Sequence, residues 1–196
     1  MSGPVVGVVI AAGSSRRLGE PKQLLPYRGA TLLDASLDVA RRFAFDQRIV
    51  TIGGAADEVR STVDMKGFIV VRSRQHAEGC SSSIHGALEA MAPDAAGLVL
   101  LLGDQPTVAQ SAIAAVVTAG RAGADIAVCS YGDGIGHPFW FGRETFAALA
   151  DLHGDKAVWK VIESGRFDVH EVPVDGPIPP DVDTWDDYRS LVSTVP

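Results

Sequence analysis

The sequence predicts one α/β domain of three layers, in which helices cover both faces of a mostly parallel sheet. Short Val- and Leu-rich runs alternate along the chain with segments of helical apolar spacing, which is the pattern of βαβ units. The runs at 5–10 and 97–102 are apolar at consecutive positions, as expected of strands buried on both faces. The chain of 196 residues has the length of one ordinary domain, and no linker or repeat divides residues 1–196.

Each predicted element follows from a local pattern. The first strand, 5–10, ends in a loop of small and basic residues that closes at Pro26. Thr31 and Asp34 give a capping-box-like start to a helix over 31–43. The other predicted strands are 48–52, 68–72, 97–102, 125–130, 138–141 and 169–174, and the other helices are 57–63, 83–91, 110–121, 143–152, 156–163 and 184–192. Gly-rich turns are predicted at 53–54 and 132–136, and a polar loop at 73–82.

Charge and composition restrict the ligand and the compartment. A net charge of −7 argues against nucleic acid as the main partner, because nucleic-acid binding needs a basic stripe. No apolar run approaches the length of a membrane span, and residues 1–4 lead into a strand without a signal peptide. Cys80 and Cys129 have no metal-ligand spacing and predict reduced thiols. We therefore expect a cytoplasmic protein that binds a small anionic molecule and no membrane.

The loop after the first strand has the residues of a polyphosphate site. Small side chains leave backbone N–H groups accessible to phosphate oxygens, and Arg and Lys supply positive charge. It is not a Walker A loop, because Gly13 and Gly19 are six residues apart and Glu20 follows, and it lacks the dinucleotide fingerprint. The candidate phosphate-binding residues are Ala11, Ala12, Gly13, Ser14, Ser15, Arg17 and Lys22.

Asp104 is the candidate metal ligand. Ligands of open α/β sheets bind beyond the carboxyl ends of the strands, and Gly103 and Asp104 directly follow the most apolar strand. A carboxylate there needs a partner, and Mg²⁺ is commonly held by one or two carboxylates together with phosphate oxygens. The alternative is that Asp104 caps the turn before Pro106.

The loop resembles the signature of nucleotidyltransferases with the glycosyltransferase-A-like, Rossmann-like fold, roughly Leu-Ala-Ala-Gly-x-x-x-Arg-Met-Gly-x-x-Lys. Leu18 replaces the Met of this pattern and Ile10 its first Leu. The resemblance implies a Mg²⁺-dependent transferase whose catalytic residues are Arg17, Lys22 and Asp104. Related transferases carry a second metal ligand late in the chain. Asp155 is preferred to Asp183 for that role, although either carboxylate also has the position of a helix N-cap.

Three further segments resemble molybdenum cofactor cytidylyltransferases. Residues 78–83 are similar to their Glu-Gly-Met-Ser-Ser-Ser, with Cys80 in place of Met. Hydroxyl and N–H groups in this segment suit the edge of a base or ribose, whereas the alternative is a plain Ser N-cap. Residues 101–106 look like the metal-binding segment, and residues 136–138 like the Gly-His-Pro that opens the strand beside the acceptor site. The nucleotide- or acceptor-binding candidates are Gly79, Ser81, Ser82, Gly103 and His137.

The resemblance covers nearly the whole chain, since six segments match in order: 5–26, 76–83, 101–106, 136–141, 154–162 and 183–188. The resemblance implies transfer of CMP from CTP to the phosphate of molybdopterin-bound molybdenum, with release of pyrophosphate. A molybdenum hydroxylase or its maturation factor is an implied partner. A guanylyltransferase of the same cofactor, using GTP, and a sugar-1-phosphate nucleotidyltransferase remain alternatives. A different class would be an NADPH-dependent oxidoreductase, or a carrier of the pterin cofactor without catalysis, on the same fold.

Overall fold

A sheet of seven strands forms the centre of the computed structural model, which describes residues 3–73, 80–154 and 157–193. Its strands are β1 (Val5–Ala11), β4 (Gln47–Ile52), β5 (Ile69–Arg72), β6 (Gly97–Leu102), β7 (Ile126–Tyr131), β8 (Gly134–Gly142) and β9 (Val169–Pro173). They are ordered β5-β4-β1-β6-β8-β7-β9. The pairs β1–β4, β1–β6, β4–β5 and β7–β9 are parallel, whereas β8 is antiparallel to both its neighbours. The mostly parallel sheet is therefore confirmed.

Helices cover both faces of this sheet. On one face, α1 (Leu32–Arg42), α2 (Ala56–Thr62) and α4 (Gln110–Arg121) contribute to a hydrophobic cluster that also contains Val5 and Val9. On the other face, α3 (Cys80–Ala90), α5 (Phe146–Ala150) and α6 (Ala157–Ile162) pack with Val6 and Val8. Alternate residues of β1 thus point to opposite faces, as strand geometry requires. The three-layer arrangement agrees with the prediction.

A third hydrophobic cluster lies beneath the loop that follows β1. It joins that loop to a two-stranded hairpin, β2 (Pro26–Tyr27) and β3 (Ala30–Thr31), and to the last helix, α7 (Trp185–Ser193). Its buried members are Leu18, Leu25, Tyr27, Leu32, Val182 and Leu191. The hairpin and a 3₁₀ turn at Lys22–Leu24 were not predicted from the sequence. The capping box between Thr31 and Asp34, by contrast, is present at the start of α1.

Several predicted boundaries were wrong. β8 spans nine residues and begins directly after a turn at 132–133, so the predicted Gly-rich turn at 132–136 is too long. Gly136 lies inside β8, where a Cβ atom would come within 2.7 Å of Ile178 Cγ2. Close packing, rather than a turn, therefore explains this glycine. α3 begins at Cys80, so Ser81 and Ser82 belong to a helix rather than to the predicted loop, and residue 68 precedes β5.

The C-terminal elements differ in smaller ways. The predicted helix 143–152 consists of a 3₁₀ turn at Arg143–Thr145 followed by α5. Thr145 is fully buried and its hydroxyl donates to the carbonyl of Gly142, which stabilises this tight start. Among the described residues, no helix combines the length and the apolar character needed to cross a bilayer.

Candidate active site

A cavity of about 510 Å³ lies at the carboxyl ends of β1 and β6. Parallel strands bring their carboxyl ends to one edge of the sheet, so the segments that follow β1 and β6 meet there. The segment that precedes α7 completes the wall. The lining residues are Ile10, Ala11, Ala12, Gly13, Ser14, Ser15, Arg16, Arg17, Lys22, Gln23, Ser83, Leu102, Gly103, Asp104, Asp181 and Asp183.

The loop after β1 is folded around Ser15. This residue has a positive φ of 49°, and its carbonyl accepts hydrogen bonds from the N–H groups of Leu18 and Gly19. Its hydroxyl accepts from the N–H of Lys22 at 2.9 Å, which fixes the start of the 3₁₀ turn that carries Lys22. Gly13 and Ser14 remain exposed on the cavity side. Ser15 therefore shapes the loop, and Gly13 and Ser14 present its accessible backbone.

Two cations and two carboxylates form an ion-pair network in the cavity. Lys22 Nζ donates to Asp104 Oδ2 at 2.5 Å and to Asp183 Oδ1 at 3.0 Å. Arg17 Nη2 donates to Asp183 Oδ2 at 2.6 Å. The side chains of Lys22 and Asp104 are 16% and 11% exposed, whereas those of Arg17 and Asp183 are 68% and 40% exposed. The network thus runs from a buried pair to a solvent-exposed pair.

The pKa values within this network are set by burial and by the neighbouring charges. Burial opposes the charged form of Lys22, but Asp104 and Asp183 outweigh burial and raise the pKa of Lys22. Burial, assisted by the charge of Asp181, raises the pKa of Asp104 despite its contact with Lys22. For Asp183 the cost of burial is smaller than the effect of Lys22 and Arg17, so its pKa is lowered. Lys22 therefore stays charged in the free protein.

Asp104 and Asp183 form an oxygen donor set that suits a hard divalent cation. Both carboxylates contact the same cationic nitrogen, so both reach a common point. In the described part of the chain no three His, Cys, Asp or Glu side chains gather as a metal-binding group. Water and phosphate oxygens would have to complete an octahedral shell, as is usual for Mg²⁺. Asp155, the preferred second ligand from the sequence, lies outside the described residues.

The structure brings many of the predicted site residues together but separates others. The predicted residues of the loop, together with Gly103 and Asp104, line the cavity, and a Cβ on Gly103 would approach Ala11 Cβ to 2.7 Å. Ser81 and Ser82 are held in other contacts. The Ser81 hydroxyl accepts from the N–H of Gly154 at 3.1 Å, and the Ser82 hydroxyl lies 2.7 Å from that of Ser73. Gly79 lies outside the described residues.

His137 lies at the same end of the sheet but does not line the cavity. β8 pairs with β6 up to Leu100 and Phe139, and continuing this register places His137 beside the end of β6. Its ring stacks on Phe139 with centroids 4.1 Å apart, and its carbonyl accepts from the Tyr131 hydroxyl at 2.8 Å. Burial lowers the pKa of His137 to about 4, so its imidazole is neutral near pH 7.

Sequence reasoning missed Gln23 and Asp181, which line the cavity together with Ser83 of the predicted segment 78–83. Gln23 is 5% exposed, and its Nε2 donates to the carbonyls of Ala11 at 2.8 Å and Gly13 at 2.9 Å. The signal available in the sequence was its place directly after Lys22, between a cation and an apolar pair. Asp181 lies two residues before Asp183, and its charge acts on Asp104.

Comparisons with known proteins identify a family and several relatives. A model of the MobA-like NTP transferase domain matches residues 7–171. The purine catabolism protein PucB of Bacillus subtilis is 28% identical over 196 residues, covering 94% of this chain and 94% of the relative. Nicotine blue oxidoreductase of Paenarthrobacter nicotinovorans is 29% identical over 120 residues, covering 61% and 58%. The molybdenum cofactor cytidylyltransferase of Escherichia coli is 28% identical over 102 residues, covering 51% of each chain.

Two solved structures are more similar in sequence. A homologue of Mycobacterium tuberculosis Rv0371c from Mycobacterium sp. strain JC1 is 56% identical, with a TM-score of 0.93 over 97% of this chain and 96% of that chain. Rv0371c itself, solved in complex with manganese, is 50% identical, with a TM-score of 0.86 over 98% of this chain and 100% of that chain.

Proposed function

Because the chain belongs to the family of MobA-like NTP transferase domains, we propose that this nucleotidyltransferase moves CMP from CTP to the phosphate of the molybdenum cofactor. The network of Arg17, Lys22, Asp104 and Asp183 carries the proposal, since it supplies both phosphate-binding cations and metal-binding carboxylates. The acceptor and the base are supported by similarity to the Escherichia coli cytidylyltransferase. The resemblance of residues 78–83 to the Ser-rich segment of such enzymes supports them further.

The chemistry needs no protein nucleophile. A phosphate oxygen of the acceptor forms a bond to the α-phosphorus of the nucleotide. The bond from that phosphorus to the oxygen bridging to the β-phosphorus breaks, and pyrophosphate leaves with the bonding electrons. Lys22 and Arg17 hold the leaving phosphates, and the exposed N–H groups near Gly13 and Ser14 donate to their oxygens. Positioning and charge are thus the contribution of the chain.

Asp104 and Asp183 are the residues that we propose to hold Mg²⁺. When bound, such an ion neutralises negative charge on the phosphates. In the free protein the Lys22 ammonium group donates hydrogen bonds to both carboxylates, so in that position it does not bind phosphates. With a cation held by the two carboxylates, Lys22 and Arg17 would be available to bind phosphate oxygens. Asp155 remains the alternative second ligand.

The test is pyrophosphate release from purified protein that is supplied with Mg²⁺, molybdenum cofactor and CTP, GTP or ATP in separate reactions. We expect release with CTP that requires both the metal and the cofactor, and a cytosine dinucleotide product detected by mass spectrometry. Release with GTP alone would assign a guanylyltransferase, and a sugar 1-phosphate that replaces the cofactor would assign a different acceptor. No release with any triphosphate would contradict the proposal.

A second candidate function is supported by the similarity to nicotine blue oxidoreductase. On this alternative the chain binds a nicotinamide dinucleotide instead of a triphosphate. A thermal-shift comparison separates the two, because a ligand that binds the folded state raises Tm. We expect CTP with Mg²⁺ to raise Tm and NADPH to leave it unchanged. The reverse result would favour the oxidoreductase.

A further inference from the structure

The side-chain amide of Gln23 bridges two backbone carbonyls at the start of the loop that follows β1, the candidate phosphate-binding loop. The amide nitrogen donates to the carbonyl of Ala11, the last residue of β1, and to the carbonyl of Gly13, two residues on. The side chain is 5% exposed, so these bonds form away from bulk water. Removing them would leave two backbone acceptors near the site without these partners, which is costly in a buried environment.

The orientation of this amide is fixed by chemistry. A carbonyl only accepts hydrogen bonds, so the NH₂ group must face Ala11 and Gly13. The opposite orientation would place Gln23 Oε1 against two other oxygens. Gln23 Oε1 is buried and has no hydrogen-bond partner in the described part of the chain. The two hydrogen bonds of Gln23 Nε2 therefore determine the orientation of the amide.

The two bonds also determine where the loop directs its donors. In a trans peptide the C=O and N–H groups point in opposite directions. The carbonyls of Ala11 and Gly13 point at Gln23, so the N–H groups of Ala12 and Ser14 point away from Gln23. Ser14 is exposed and lines the cavity, and across the described residues its N–H donates to no other group. Preset N–H groups of this kind bind phosphate oxygens.

We propose that Gln23 is a positioning residue that presets the N–H groups of Ala12 and Ser14 for the phosphates of the nucleotide. This inference rests on the proposed function, because it assigns those donors to the triphosphate. Gln23 itself does not touch the ligand. By holding the loop in one conformation, Gln23 reduces the conformational entropy that the loop loses when the anion binds.

Gln23→Met tests the inference, because Met has similar length but donates no hydrogen bond. Gln23→Glu keeps the shape and places carboxylate oxygens against the two carbonyls. The matched control is Gln47→Met. Gln47 also bridges backbone groups through its amide, to the carbonyl of Ala90 at 3.0 Å and the N–H of Ala92 at 2.9 Å. It begins β4, at the opposite end of the sheet from the cavity.

The probes are inorganic pyrophosphate and CTP, each with Mg²⁺, measured by calorimetry and by amide NMR shifts. We expect both Gln23 variants to bind each probe about tenfold more weakly, in line with the loss of preorganised donors. We also expect the Ser14 amide shift on pyrophosphate addition to disappear. Gln47→Met should bind both probes as the wild type does. If Gln23 had only a structural role, the Gln23 variants would lower Tm as Gln47→Met does. They would keep the wild-type shift of the Ser14 amide on addition of pyrophosphate.

Two outcomes would overturn the inference in different ways. If the wild type binds and the Gln23 variants bind equally well, Gln23 does not preset the loop, and the proposed function is untouched. If the wild type binds neither CTP nor pyrophosphate, the proposed function fails and the role of Gln23 fails with it.

Discussion

Lys22, in the loop that follows β1, contacts both carboxylates of the candidate site, Asp104 and Asp183. In Lys22→Ala we expect kcat/KM for nucleotidyl transfer to fall about 10²- to 10³-fold, the usual loss when a preorganised charge is removed. Burial already raises the pKa of Asp104, so this carboxyl can take up a proton when its partner is removed. We therefore expect the free energy of unfolding to fall by at most about 3 kcal/mol.

Steady-state kinetics and urea unfolding measure the two effects of Lys22→Ala separately. The exposed Lys66 provides the control, since Lys66→Ala should change neither quantity. A Lys22→Ala enzyme with the wild-type rate would remove Lys22 from the mechanism.

Asp183 and Asp155 compete for the role of second metal ligand, and one set of variants separates them. Asp183 shares Lys22 with Asp104, so we expect Asp183→Asn to weaken Mn²⁺ binding at least about tenfold through the loss of a charged oxygen. Asp155→Asn should have little effect. Asp186→Asn is the control, because the Asp186 side chain is 90% exposed and lies 3.4 Å from Arg189. Calorimetric titration with Mn²⁺ measures all three, and a loss confined to Asp155→Asn would reverse the assignment.

At the scale of elements, α7 packs against the two segments that carry Arg17 and Asp183 of the candidate site. Trp185 Nε1 donates to the carbonyl of Leu18 at 3.2 Å, and Leu191 packs with Leu18 and Val182 in the third cluster. Leu18 and Val182 are the chain neighbours of Arg17 and Asp183. The packing of α7 therefore determines where these two charges lie.

Leu191→Ala should accordingly affect both stability and binding. We expect the free energy of unfolding to fall by about 2–5 kcal/mol, as for other buried Leu truncations, and Mn²⁺ affinity to fall several-fold. Leu149→Ala is the matched control. Leu149 is buried to a similar extent, but in the hydrophobic cluster that α3, α5 and α6 form on the sheet. It should lose similar stability and retain metal affinity. Equal Mn²⁺ affinity in both variants, measured where both are folded, would mean that α7 does not position the site.

Local sequence patterns predicted some features of the helices and strands but not others. Thr31 and Asp34 predicted the start of α1, because a capping box depends on residues three apart. The sequence could not predict that β8 is antiparallel, because a strand buried on both faces has the same apolar pattern in either direction. It also assigned Gly136 to a turn, since contact with Ile178 depends on packing 42 positions away in the sequence.

At the scale of the whole molecule, alternating strands and helices sufficed to predict a three-layer fold, and the strand-end rule predicted that the segments after β1 and β6 line one cavity. Asp104 was identifiable because a carboxylate ends an apolar strand. Asp183 was not separable from a helix cap, because its contact with Lys22 joins residues 161 apart in the sequence. Gln23 was missed for a related reason. A buried amide that braces a loop has no local pattern, and only the folded backbone reveals its partners.

The pH dependence of global stability should report on His137. Burial lowers its pKa from 6.5 to about 4, so between these values the unfolded chain binds more protons than the folded one. The contribution of His137 to stability is therefore complete above pH 6.5 and is lost as pH falls toward 4. The loss amounts to at most about 3 kcal/mol, an upper limit because His137 is partly exposed to solvent. Asp183 and Asp187 have lowered pKa values, so their contributions are lost only at lower pH, below their usual range.

His137→Phe tests this assignment, because Phe can retain the stacking on Phe139 and cannot titrate. We expect urea unfolding of the wild type to show a free energy that declines between pH 6.5 and 4, and the variant to show a flatter profile over the same window. Below pH 4 both proteins should lose stability alike, because the aspartates are unchanged. If the variant instead declines as steeply as the wild type between pH 6.5 and 4, a group other than His137 takes up the proton. That result would remove His137 from the account of acid sensitivity.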